Sequence, residues 1–213
     1  MIALIDYGMG NQRSVFKALE TVGGEVVLSD SPIVISRAEA IVLPGVGAFH
    51  AGMEEMNKRG LVEPIKDSIK KGRPYLGICL GMQFLADMSR EGDRKTKGFG
   101  IIKGEVLRFP EKDSDGKRIK VPQIGWNTIT IKKKSVLLSE IPDETYFYFV
   151  HSYYFKCNEP EFIAGECEYG VRYAAAIEKD NIFATQFHPE KSQNAGLKIL
   201  KNFINFCKVK NIR

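Results

Sequence analysis

Cys79 stands between Gly77 and Gly81 in the run Gly-Ile-Cys-Leu-Gly, just after the short stretch Arg73-Pro-Tyr-Leu. A nucleophile two residues from each of two glycines marks a strand that turns abruptly into a helix. The turn lifts one side chain at the sheet's C-terminal edge, where a Cβ at either flank would clash. A buried structural thiol fits the pentapeptide equally well, because free cysteine is among the most buried residue types. A base separates the two readings, since the thiolate is the reactive form and an isolated thiol is mostly protonated at neutral pH. Three histidines make the search short. His50, after Pro44-Gly-Val-Gly-Ala-Phe49, reads as a surface or capping residue. His151 closes the apolar run 146–150 and reads as a satisfied core histidine. His188 lies in His188-Pro189-Glu190, where the proline fixes φ near about −65°. A carboxylate two residues on can orient the imidazole and stabilise the imidazolium. Cys79, His188 and Glu190 form the candidate triad.

A tetrahedral intermediate at Cys79 needs donors aimed at its developing charge. One source is the backbone N–H of Leu80, at a helix N-terminus just after the nucleophile. The other is Val46, in Pro44-Gly45-Val46-Gly47 directly after the apolar run Ala40–Leu43. Ligand sites in open α/β sheets lie beyond the carboxyl ends of such strands. The glycines flanking Val46 let its peptide plane reorient toward a substrate, although a plain Gly-rich turn fits the same residues.

The elements that must hold these groups change character along the chain. Strands over 2–6, 25–28, 40–43 and 75–78 alternate with helices over 11–22, 61–71 and 81–88, the pattern of a parallel α/β sheet. Short segments over 104–109, 127–132, 146–150, 153–156, 163–169, 171–177 and 182–187 suggest antiparallel hairpins, and a closing helix spans 195–207 with a broad apolar face. Residues 111–120 read as an exposed hairpin tip. The expectation is an α/β fold: a mixed, mostly parallel open sheet flanked by helices, with antiparallel strands in the second half, as one domain over residues 1–213.

Composition narrows the function classes. A chain of 213 residues with 44% hydrophobic and 27% charged residues is that of an ordinary globular protein. The net charge of +5 comes from basic residues scattered among acids, which favours a solvated surface over nucleic acid. The first residues are strand-like and carry no secretory pattern, and no apolar stretch reaches the roughly 18 residues of a membrane span. The four cysteines show no CxxC pair and read as reduced thiols, with no disulfide framework and no zinc site. No cofactor, metal, nucleic acid or membrane is expected, and the expected compartment is the cytoplasm.

Gly-Ile-Cys-Leu-Gly-Met-Gln at 77–83, His-Pro-Glu at 188–190 and Pro-Gly-Val-Gly at 44–47 together resemble the class I (triad) glutamine amidotransferases over essentially the whole chain. Further marks resemble one branch, the glutaminase subunits of imidazole glycerol phosphate synthases. These are Asp6-Tyr-Gly-Met-Gly-Asn11, Gly125-Trp-Asn127, Phe149-Val-His-Ser-Tyr153 and Phe187-His-Pro-Glu-Lys-Ser192. The resemblance implies that Cys79 attacks the side-chain amide of glutamine to form a γ-glutamyl thioester. It implies that His188 protonates the departing ammonia and then activates water. Gly45, Gly47, Gln83, Ser152 and Tyr153 would line the glutamine site. Ammonia would pass to a (β/α)8-barrel cyclase subunit that forms imidazole glycerol phosphate and an aminoimidazole carboxamide ribotide in histidine biosynthesis. Asn11, Ser14, Trp126, Tyr148 and Lys191 would lie near that partner in a heterodimer. The chain departs from the family at Gln123, where a histidine is usual, and at Gln12; both departures are assigned to the interface side. They leave open a paralogue that feeds a sugar-amidating partner, while an intact triad argues against a non-catalytic scaffold.

Overall fold

Strand β1 (Ile2–Ile5) is buried along its whole length, and its side chains alternate between two separate apolar layers. The structure, a computed structural model, describes residues 1–210. The last three residues of the expected domain span lie outside that range.

The chain continues through α1 (Gln12–Thr21), β2 (Val26–Ser29), α2 (Pro32–Arg37), β3 (Ala40–Gly45), α3 (Phe49–Lys58), α4 (Val62–Lys70), β4 (Tyr75–Cys79) and α5 (Leu80–Gln83). Short strands β5 (Met88–Ser89) and β6 (Thr96–Lys97) precede β7 (Gly104–Arg108), β8 (Gln123–Ile131), β9 (Thr145–His151) and β10 (Tyr153–Cys157). Strands β11 (Ile163–Glu168), β12 (Arg172–Lys179) and β13 (Ile182–Thr185) lead to the closing helix α6 (Gln193–Lys210).

The main sheet has the order β2-β1-β3-β4-β13-β12-β11-β8-β9. Its ladders are parallel from β2 to β13 and antiparallel from β13 to β9, so the expected mixture is present and its changeover falls at β13. Strands β3, β4 and β13 show no exposed position, as continuous apolar runs covered on both faces must be. Helices α1 and α6 pack on the layer that holds Leu4, Val42 and Leu76, while α2, α3 and α4 cover the layer that holds Ile5, Leu43 and Tyr75.

Helix α2 and the span of α3 were not expected from the sequence, and two further departures bear on the site. A second sheet, β10-β7-β5-β6, stands beside the first, because Met88 and Ser89 pair with β7 where a helix was expected to run to residue 88. That helix, α5, ends at Gln83. The amides of Gly98, Phe99, Gly100, Ile101 and Ile102 take the carbonyls of Asp87, Phe84, Ala86 and Leu85 that a longer helix would use. Strand β8 also begins four residues before its expected start at residue 127, at Gln123, which pairs with His151.

Candidate active site

Cys79 ends β4 with φ 55° and ψ −104°, a backbone region that non-glycine residues rarely occupy. The flanking glycines make the turn possible. A Cβ at Gly77 would lie 2.6 Å from the Gly81 carbonyl oxygen, and one at Gly81 would lie 1.8 Å from that of Leu43. Tyr75 donates a 2.7 Å hydrogen bond to the Gly81 carbonyl and braces the turn from below. The sulfur is thus held at the C-terminal edge of the sheet, as the spacing of the glycines predicts.

His188 stands three residues beyond β13, the neighbour of β4, and is 2% exposed. Its amide donates to the Tyr148 carbonyl at 2.9 Å. Ser192 donates to the His188 carbonyl and accepts from the Tyr148 amide, which ties the ring's backbone to β9. Nδ1 lies 2.8 Å from Oε1 of Glu190, whose side chain is 1% exposed. Nε2 is buried and makes no hydrogen bond at proper geometry. Burial disfavours the charged ring, but the Cys79 thiol, foremost, and then Glu190 outweigh it and raise its pKa to about 10. Cys79 therefore lies close enough to the ring to favour its charged form.

A cavity of about 480 Å³ opens over the sulfur. Val46, Gly47, Leu80, Gln83, Ser152 and Tyr153 line it beside Cys79, as does Lys191. Gly45 lies just behind, opposite Cys79 in the β3–β4 ladder. The Gln83 side chain is buried, and its Nε2 donates to the Tyr153 carbonyl at 2.9 Å and to Gln186 Oε1 at 3.0 Å. Among the described residues, no group of three or more His, Cys, Asp or Glu is placed to hold a metal ion, and no helix is long and apolar enough to cross a membrane.

The other two histidines differ. His151 is buried, with Nδ1 2.8 Å from the Tyr153 carbonyl and Nε2 3.3 Å from the Tyr173 hydroxyl. Burial lowers its pKa to about 4, which makes it the satisfied core histidine expected from the sequence. His50 lies in the first turn of α3 but does not cap it. The cap position is Ala48, and a Glu91 carboxylate oxygen accepts from the Phe49 amide instead.

Of the residues assigned to a partner surface, Gln123 requires correction. It is 3% exposed, accepts from the Tyr173 hydroxyl at 2.9 Å and points its amide at Cys167, so its side chain faces the interior. The cause is the earlier start of β8, which turns residue 123 inward and 124 outward. Trp126 is 46% exposed and meets Tyr148 edge-on at 6.0 Å, and Lys191 Nζ lies 5.8 Å from the Tyr148 ring centre. Asn11 caps α1 by accepting from the Ser14 amide, leaving both at the start of that helix.

Three site residues escaped the sequence reading. Gln186 is fully buried and donates to the Cys79 sulfur at 3.5 Å. A polar residue inside the apolar run 182–187 was its available signal. Tyr7 lies under Gly45, and Glu91 borders the cavity from a loop between β5 and β6. Neither had a spacing that marks it.

The glutamine amidotransferase class-I family model matches residues 3–206. The imidazole glycerol phosphate synthase subunit HisH of Geobacter sulfurreducens is 53% identical over 203 residues, covering 95% of this chain and 97% of that one. The subunit of the same name from Chlorobaculum tepidum is 49% identical over 208 residues, covering 97% and 100%. Among solved structures, a glutamine amidotransferase superposes with a TM-score of 0.73 at 16% identity, covering 98% of this chain and all of the other. PurLQS from Thermotoga maritima gives 0.70 at 19% identity, covering 96% and 97%. These two likenesses speak to the fold alone. The full-length match at about half identity is more specific, and by it the chain belongs to the class-I glutamine amidotransferases, on the branch of imidazole glycerol phosphate synthase HisH subunits.

Proposed function

We propose that this chain, acting as one domain in the cytoplasm, hydrolyses glutamine through Cys79, His188 and Glu190 and passes the ammonia to a cyclase partner. With its proton held on His188 Nε2, the Cys79 sulfur attacks the side-chain amide carbon and forms a C–S bond, and the carbonyl oxygen takes the negative charge. The Val46 and Leu80 amides stabilise that oxygen. His188 gives its Nε2 proton to the nitrogen as the C–N bond breaks, which releases ammonia and leaves a thioester. The now neutral ring takes a proton from water, water attacks the thioester carbon, and glutamate departs with Cys79 restored. Glu190 holds the Nδ1–H and stabilises the imidazolium throughout.

Gly45, Gly47, Gln83, Ser152 and Tyr153 form the substrate's binding surface in this reading, and Glu91 supplies a negative charge for the α-ammonium group. Gln186 holds both the sulfur and Gln83 in register. In this reading the partner is a (β/α)8-barrel cyclase subunit that forms imidazole glycerol phosphate in histidine biosynthesis; the relatives' name, imidazole glycerol phosphate synthase subunit HisH, supports assembly into a synthase of more than one subunit. Asn11, Ser14, Trp126, Tyr148 and Lys191 are its contact surface, and the exposed side chains of Ile124 and Tyr146 beside Trp126 support that assignment.

One observation carries the reading: a positive-φ cysteine opens onto a cavity while acting electrostatically on a buried, otherwise unpaired imidazole nitrogen. Glutamate release, measured with and without the cyclase and its ligand, tests it. Wild type should respond sharply to the partner, and Cys79→Ala should release no glutamate under either condition. Retained hydrolysis in that variant would reject the nucleophile; full activity without a partner response would reject the coupling.

A further inference from the structure

Tyr7 follows β1 and is wholly buried, yet its hydroxyl has no hydrogen-bond partner. Buried hydroxyls are nearly always paired, because leaving one unpaired is destabilising. The ring has little room to move. It meets Phe84 edge-on at 6.1 Å, and a Cβ on Gly52 would lie 3.4 Å from it. The hydroxyl lies directly beneath the end of β3, where a Cβ on Gly45 would come within 2.3 Å of it. Gly45 in turn lies level with Cys79 across the ladder. Burial, and after it the charge of Cys79, raise the phenol's pKa, so the group keeps its proton and is available as a donor to a carbonyl oxygen.

The carbonyl and N–H of one planar peptide point in opposite directions. When the Val46 N–H faces the cavity, the Gly45 carbonyl of the same peptide faces the interior, where Tyr7 stands. We propose that Tyr7 is a positioning residue for the oxyanion peptide: its hydroxyl donates to the Gly45 carbonyl when the Val46 N–H is turned toward the reacting amide, and lacks an acceptor when it is not. The unpaired hydroxyl destabilises the resting arrangement and its satisfaction stabilises the turned one, so the equilibrium is biased toward the competent state. Stability is then sacrificed at rest for activity, a pattern that strained sites show. The inference rests on the reading of Cys79 as nucleophile and Val46 as oxyanion donor.

The test is Tyr7→Phe in the full chain, assayed with the cyclase subunit and its ligand. The expected result is a thermal midpoint equal to or above wild type, kcat for glutamine hydrolysis lower by about 3- to 10-fold, and KM within about twofold, the scale of one net hydrogen bond. Iodoacetamide, which needs no oxyanion donor, should alkylate the Cys79 peptide at the wild-type rate in the variant. Unchanged kcat would overturn the proposal. So would a lowered midpoint, which would show that the hydroxyl has a structural partner at rest, or a loss confined to KM. A wild-type protein without glutaminase activity would instead refute the underlying reading, and the two failures remain distinct.

Discussion

His188 and His151 lie on neighbouring stretches of the same molecule, both buried near one cavity, and their rings are driven to opposite charge states. His151 ends β9 among Phe109, Phe149 and Tyr173, with a carbonyl and a hydroxyl as its partners. Neither partner carries charge, so burial decides and the ring stays neutral. His188 is as deeply buried, but Cys79, foremost, and then a carboxylate at 2.8 Å reverse the outcome. Depth alone does not make a histidine a base. What matters is whether a charged orienter and an acid-base partner are buried with it.

That contrast can be broken most severely at His188. His188→Asn removes the proton carrier, and kcat for glutamine hydrolysis should fall by about 10³-fold or more, read as glutamate release with the partner present. Glu190→Gln keeps the shape but not the charge. The loss should be about 10²- to 10⁴-fold in kcat, with the ring's pKa falling because burial is no longer opposed by the carboxylate. His151→Gln should retain most activity, since that ring braces the wall and carries no proton in the reaction. A loss as large as that of His188→Asn would erase the distinction.

The two rings also give opposite pH dependences of folding stability. The folded His188 holds its proton up to about 10, against 6.5 for an ordinary histidine. Its contribution is therefore complete below about pH 6.5 and is lost as pH rises through about 10. The folded His151 takes a proton only near 4, so the unfolded chain binds more protons as pH falls from 6.5 toward 4, and stability falls with it. Urea midpoints measured across pH should thus peak near neutrality. Glu190→Gln should flatten the alkaline limb and His151→Gln the acid limb.

A smaller effect should come from Gln123→Ala. It removes the 2.9 Å acceptor of the buried Tyr173 hydroxyl, which keeps only the longer 3.3 Å contact with His151 Nε2, and should cost about 0.5–1.5 kcal/mol of stability, measured by urea denaturation. If Gln123 instead sat on a partner surface, stability would be unchanged and only association would weaken.

Much of the site was legible because its chemistry is local in sequence. The glycines around Cys79 and the Pro189 between His188 and Glu190 each specify a backbone shape that only a few residue types can adopt. The parallel half was legible for the same reason, since β3 and β4 are unbroken apolar runs. What was missed depends on long-range pairing. The length of α5 is set by amides of residues 98–102, and the inward turn of Gln123 by its register with His151. Gln186 and Glu91 owe their roles to cross-chain placement that no local spacing encodes.

The charge contrast itself is open to direct measurement. With three histidines in the chain, ring ¹⁵N NMR titration, assigned with His50→Gln and His151→Gln variants, resolves each imidazole. At pH 7 His188 should be an imidazolium that loses its proton only near 10, while His151 should be neutral and titrate near 4. In Glu190→Gln the His188 value should drop. A neutral His188 at pH 7, or a pKa indifferent to Glu190, would contradict the assignment of Cys79, His188 and Glu190 as one catalytic unit.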